Sequence, residues 1–148
     1  MSDCIFCKIA SGEIPATKVY ESKHFFVVLD LNPIKKGHAL VIPKRHFEIQ
    51  TEMNAEERAD FGVALGAAAD ILKKEFGEHM NFSNTSGKFA SQSIPHYHMH
   101  IIPRQEGDRL WDGDKSRLVL DTSSGFPRLE IPTEEIAQLA KKLKGDAE

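Results

Sequence analysis

His96-Tyr97-His98-Met99-His100-Ile101-Ile102 is the stretch on which the reading of this chain turns. Successive side chains of a strand point to opposite faces, so His96, His98 and His100 share one face. Tyr97, Met99 and Ile101 share the other, which is apolar and belongs against a core. At about 3.3 Å of rise per residue, neighbouring imidazoles of such a row stand roughly 6–7 Å apart. Three rings side by side make a poor surface unless they serve something. Two chemistries suit them. Neutral imidazole is a good nucleophile near neutral pH, and its neighbours can donate to phosphate oxygens or to a leaving group. Alternatively, the rings can hold a catalytic metal that keeps one open position.

The residues around the row give the fold. Before it, Asn84-Thr85-Ser86-Gly87-Lys88-Phe89-Ala90-Ser91-Gln92-Ser93 is a loop stocked with small uncharged donors. Phosphoryl chemistry needs such donors for positioning and charge stabilisation; a solvated glycine-containing loop is the plain alternative. Met80–Asn84 reads as a strand, and Tyr97–Ile102 as another that Pro103 stops. Further back, Asn54 followed by Glu57 makes a capping box for a helix over 54–76, whose buried stripe is Phe61, Leu65, Ala68 and Leu72. Gly77 supplies a left-handed end. Gly37–Pro43 is a compact apolar strand, and Val19–Glu21 with Phe25–Leu29 reads as a hairpin. Cys4–Ser11 predicts a short helix ended by Gly12, and Thr133–Leu143 a last helix capped by Thr133. Strands, one long helix, then strands again predict an α+β domain with an antiparallel sheet.

The 148 residues suffice for one domain with a real core. With 41% hydrophobic and 28% charged residues, the composition is that of a soluble globular protein. A net charge of −3 and a pI near 6.2 argue against a nucleic acid as the main partner. No apolar run approaches the roughly 20 residues that span a bilayer, and no signal peptide is visible, so no membrane partner and a cytoplasmic location are expected. The two cysteines, Cys4 and Cys7, are spaced as half a metal site or a redox pair.

The motif, with its alternating apolar residues, resembles the signature of the histidine triad family. The likeness runs over roughly 4–104: Ile5-Phe6-Cys7-Lys8-Ile9, Glu13-Ile14-Pro15-Ala16, Gly37-His38-Ala39-Leu40-Val41-Ile42-Pro43-Lys44-Arg45-His46, and Gln92-Ser93 before the triad. The resemblance implies a histidine triad fold over 1–110 with an extension over 111–148 packed on the same domain. It implies a homodimer that acts on a small-molecule nucleotide at its α-phosphate. In the family pattern His98 is the nucleophile, forming a covalent nucleotidyl-histidine, His100 holds a phosphate oxygen or assists the leaving group, and His38 stands near the site. Asn84, Gln92 and Ser93 match phosphate and leaving-group contacts. Asp30 matches the carboxylate that takes the ribose hydroxyls; taken alone, an Asp before Asn-Pro is a turn residue. Ile5, Phe6, Ile9, Val28 and Leu31 would wall the base, though by composition they are simply core.

A subset of the family carries structural zinc, and the matching ligands here are Cys4, Cys7, His46 and His96, a closed Cys2His2 set. Bound zinc would leave His98 and His100 as the working pair. Trp111 would reach the partner's pocket or serve as a buried anchor; Leu118–Leu120 and Leu129–Ile131 carry no readable role. Nucleoside phosphoramidates and dinucleoside polyphosphates both remain as substrate types. A non-catalytic nucleotide-binding regulator and a metal-dependent hydrolase with the triad as ligands stand as the alternatives.

Overall fold

A computed structural model describes residues 3–112, 115–116 and 128–146. Its centre is a five-stranded antiparallel sheet of β1 (Tyr20–Glu21), β2 (Phe25–Leu29), β3 (Ala39–Pro43), β4 (Met80–Ser83) and β5 (Met99–Pro103), in the order β1-β2-β3-β5-β4. A short ladder of β6 (Trp111–Asp112) and β7 (Lys115–Ser116) stands apart from it. The helices are α1 (Ile5–Ser11), α2 (Ala55–Phe76) and α3 (Thr133–Asp146). Among the described residues no helix is long and apolar enough to cross a membrane.

Every residue of β2 and β3 is buried, because both faces of the sheet are covered. On one face Phe25, Val27, Leu29, Ala39, Val41, Tyr97 and Ile101 pack against α2 and α3. On the other, Phe26, Val28, Leu40 and Ile42 pack under Phe6 of α1. The sequence FFVVL is therefore apolar without alternation, as a strand buried on both sides should be.

The capping box of α2 is in place: Asn54 Oδ1 accepts from the Glu57 N–H, and Glu57 Oε1 accepts from the Asn54 N–H, each at 2.9 Å. Its buried stripe is Ala64, Ala68, Ile71 and Leu72, with Phe61 and Leu65 only half-buried at its margin. Of the expected stripe of Phe61, Leu65, Ala68 and Leu72, the last two are thus fully buried, and Ala64 and Ile71 take the remaining fully buried apolar positions. Gly77 has φ 87°, ψ 179°, a positive-φ end but not a left-handed helical one. In α3, Ile136, Leu139, Ala140 and Leu143 enter the main core. Thr133 is its first residue rather than its cap, since the Pro132 carbonyl already accepts from the Glu135 and Ile136 amides.

The strand expected over 97–102 begins two residues later, at Met99. Pro95 has no N–H for a ladder, and Tyr97 donates instead to the Phe47 carbonyl at 2.8 Å. The alternation survives this bend: Tyr97 and Ile101 are in the main core, while His96, His98 and His100 are buried on the opposite side.

Behind the triad strand lies a buried ionic knot. Asp108 accepts from Lys35 Nζ (2.9 Å), Arg104 Nε (3.0 Å) and Nη2 (3.2 Å), and the amides of Gln105 and Leu110 (both 2.9 Å). It fixes the turn that holds Ile34, while Leu110 packs with Ile34 and Ile102. Leu110, not the half-buried Trp111, is the anchor after the sheet. Leu118–Leu120 lie outside the described residues.

Candidate functional site

The site is assembled where the end of β2, the start of β3, α1 and the triad segment meet. Gly37 makes the turn into β3 at φ 91°, with the Phe76 ring so close that an added Cβ would stand 2.6 Å from it. That turn delivers His38 under the triad strand, just before Ala39 rather than within β3.

Backbone atoms decide which nitrogen of each ring carries its proton. The Ile34 N–H donates to His38 Nδ1 at 3.0 Å, so the His38 proton is on Nε2. His38 Nε2 lies 2.8 Å from His100 Nδ1 and donates to it, which places the His100 proton on Nε2. His98 Nδ1 lies 2.8 Å from the His96 carbonyl. A carbonyl only accepts, so Nδ1 holds the proton and His98 Nε2 keeps its lone pair. His96 Nε2 donates to the Pro43 carbonyl at 2.9 Å, leaving the lone pair on Nδ1. Burial pushes His98 below the usual histidine range, against the Nδ1 hydrogen bond and the Asp30 charge. Burial also lowers His38 strongly and His96 to about 4, so these rings are neutral at pH 7. The His98 and His100 ring centroids are 4.9 Å apart, nearer than ideal strand spacing gives.

His98 and His100 open onto a cleft of about 200 Å3. Phe6, Ile9 and Val28 line its apolar wall, with Ile5 and Leu31 exposed at the rim; Asp30 and Ser93 also line it. Of the expected base-wall, ribose and phosphate residues, Asn84 and Gln92 alone are not among the lining side chains. Asn84 Nδ2 donates to the His98 carbonyl at 2.9 Å, and its Oδ1 accepts from Ser86. Gln92 accepts from the Gly87 N–H and donates to the Glu48 and Ile94 carbonyls. In this structure these amides hold the loop and the triad backbone, while Ser93 lines the cleft directly. Leu40, Asn32, Ile94 and Arg128 also line it and were not singled out from sequence. Leu40 and Ile94 read as ordinary core. Arg128 had no signal at all.

Asp30 makes its turn as expected, its Oδ1 accepting from the Asn32 N–H at 2.8 Å. Its Oδ2 pairs with Arg128 at 3.2 Å and lies 3.8 Å from His38 Nε2. Burial raises the carboxyl from its ordinary value, opposed by the Asn32 amide and Arg128.

On the far side of His96, Cys4, Cys7, His46 and His96 bring four ligand atoms within 4.8 Å of one another. His96 Nδ1 is 3.3 Å from Cys4 Sγ, 3.6 Å from Cys7 Sγ and 3.1 Å from His46 Nδ1. Tetrahedral zinc with its usual bond lengths would separate such atoms by roughly 3.3–3.8 Å. The donor set therefore fits a soft tetrahedral dication, with the His96 lone pair already turned toward it. Asp30, His38 and His100 also cluster, but the 2.8 Å between the two rings is a hydrogen-bond length.

A family model described as the HIT domain matches residues 11–107. The chain belongs to the histidine triad family. It is 48% identical over 105 residues to an uncharacterised HIT-like protein of Methanocaldococcus jannaschii, covering 71% of this chain and 81% of that one. It is 34% identical over 140 residues to an adenosine 5'-monophosphoramidase of Schizosaccharomyces pombe, covering 95% of each. Among solved structures, a zinc-bound histidine triad family protein from Mycobacterium smegmatis superposes with a TM-score of 0.74 at 29% identity, over 98% of this chain and 95% of that one.

Proposed function

We propose that this chain is a nucleotidyl hydrolase or transferase that cleaves at the α-phosphate through a covalent intermediate on His98. The observation that carries the reading is the hydrogen bond from His98 Nδ1 to the His96 carbonyl, which leaves the Nε2 lone pair for attack beside the cleft. Burial keeps that ring neutral at pH 7, as a nucleophile must be. In the proposed first step, Nε2 forms a bond to the α-phosphorus while the bond to the leaving group breaks, its electron pair departing with that group. His100, which carries its proton on Nε2, donates to the leaving group or a phosphate oxygen. Water then attacks phosphorus and gives up a proton, which balances the one the leaving group takes up, and the pair of the P–N bond returns to Nε2. Asp30 takes ribose hydroxyls, Phe6, Ile9 and Val28 hold the base with Ile5 and Leu31 at the mouth, and Ser93 serves the phosphate.

The related monophosphoramidase directs the substrate choice toward nucleoside phosphoramidates. In the same reading Cys4, Cys7, His46 and His96 hold zinc, which would tie α1 to the segment after β3 and to the triad, and the protein works as a homodimer. The test is to mix a nucleoside phosphoramidate labelled at the α-phosphate with enzyme and quench within milliseconds. Label should remain on the protein, surviving alkali and leaving in acid, as a phosphorus–nitrogen bond does. Failure to trap label, together with failure of a His98→Gly variant to use a preformed imidazole-linked nucleotide, removes the nucleophile assignment.

A further inference from the structure

Arg128 comes from a segment beyond the matched family region, yet it is the single cationic side chain that lines the cleft among the described residues. Its Nη1 donates to Asp30 Oδ2 at 3.2 Å and to the Asn32 carbonyl at 2.9 Å. The next amide, of Leu129, donates to the Pro33 carbonyl at 2.7 Å, so backbone and side chain are fixed to the same turn. A guanidinium has five N–H donors. Nη1 accounts for two of them here. Those on Nε and Nη2 have no hydrogen-bond partner among the described residues, and the side chain is 25% exposed. Asp30 keeps acceptor capacity as well, since a carboxylate offers about four lone-pair positions and only one bond to each oxygen is made by the Asn32 amide and Arg128.

We propose that Arg128 is a specificity-determining residue that reads the ribose diol jointly with Asp30; the proposal rests on the nucleotide reading of the cleft. A hydroxyl both donates and accepts. Asp30 can take the protons of two vicinal hydroxyls, but a carboxylate alone leaves their oxygens unmatched. Arg128, held against Asp30, supplies donors beside the same oxygens. A site built this way rejects a sugar that lacks one hydroxyl, because its own polar groups are then left without partners. A cation serving the phosphate instead would be indifferent to the sugar.

The experiment compares AMP and 2'-deoxy-AMP by calorimetry on the intact protein, Arg128→Met and Arg128→Lys. Methionine keeps much of the apolar stem and removes the donors; lysine keeps the charge without the fork. The parent should prefer AMP by about tenfold or more, from one charge-assisted hydrogen bond. Arg128→Met should lose about tenfold for AMP and less than about threefold for 2'-deoxy-AMP, so that the preference collapses. Arg128→Lys should lose most of the preference while binding both nucleotides at least as well as Arg128→Met. Equal losses for both sugars, as a phosphate contact or a merely structural role would give, overturn the proposal, as does an unchanged ratio. A parent that binds AMP with the ratio unmoved by either variant refutes this assignment alone. A parent that binds neither nucleotide refutes the reading of the cleft, and the assignment with it.

Discussion

Asp108→Asn probes the ionic knot behind the triad strand. The Asp108 side chain is 6% exposed and that of Lys35 is 9% exposed. The variant keeps the shape of the acid and removes the charge that two buried cations face. Taking one partner from a buried ion pair destabilises by about 3–5 kcal/mol. An amide retains one acceptor oxygen, so the low end, about 3 kcal/mol, is expected. With a urea slope of about 2 kcal/mol per molar, the unfolding midpoint should fall by about 1.5 M at pH 7 with the slope unchanged. The pH dependence supplies a second readout. Burial pushes the Asp108 carboxyl up, but hydrogen bonds from Arg104, the Gln105 amide and Lys35 outweigh it and hold the group below the ordinary carboxylate range. A depressed folded value stabilises above the unfolded value, and that contribution is lost as pH falls toward the folded one. The gap between parent and variant should therefore narrow below about pH 4, by up to about 1.4 kcal/mol per pH unit. A midpoint drop under about 0.5 M, or a gap that does not change between about pH 5 and pH 3, would refute the reasoning.

Two further outcomes are expected. His98→Ala should lower turnover by at least about 10^3-fold while leaving nucleotide affinity within a few fold; steady-state activity within tenfold of the parent would reject the covalent mechanism. Protein prepared under reducing conditions without chelator should contain one zinc per chain by elemental analysis, and its removal should lower the unfolding temperature more than it slows turnover of the still-folded protein. Metal-free protein of full stability would remove the zinc assignment, and loss of all turnover from a folded, metal-stripped protein would favour the metal-dependent alternative.

The sheet, the long helix and the triad face were legible because each is written in local pattern: FFVVL, the Asn54–Glu57 box, and three histidines at alternate positions. What failed locally failed for tertiary reasons. On α2, Ala64 and Ile71 are buried in a core that also takes side chains from α3, an element no local pattern on α2 announces. The triad strand shortened because Tyr97 bonds to Phe47 outside the sheet. In the site, Cys4 and Cys7 announce themselves by spacing, whereas His46 and His96 join them only once β3 and β5 are paired. Amides are ambiguous in a sequence: Asn84 and Gln92 can bind a ligand or hold a loop, and the loop-holding bonds they make are visible only in the structure. Arg128 was invisible because its meaning lies entirely in its partner, Asp30, ninety-eight positions away.

The proton pattern of the imidazoles has a bearing on how the chain tolerates change. Its outer reference points are the Ile34 amide and the carbonyls of Pro43 and His96, all of them main-chain atoms. Main-chain groups are common to every residue type, save the amide missing from proline. Side-chain replacements at 34, 43 and 96 that preserve the backbone path therefore leave the orienting contact on offer, with proline at 34 the one direct deletion. Mutation can remove the rings themselves, but the groups that tell them where to keep their protons are inherited with the fold.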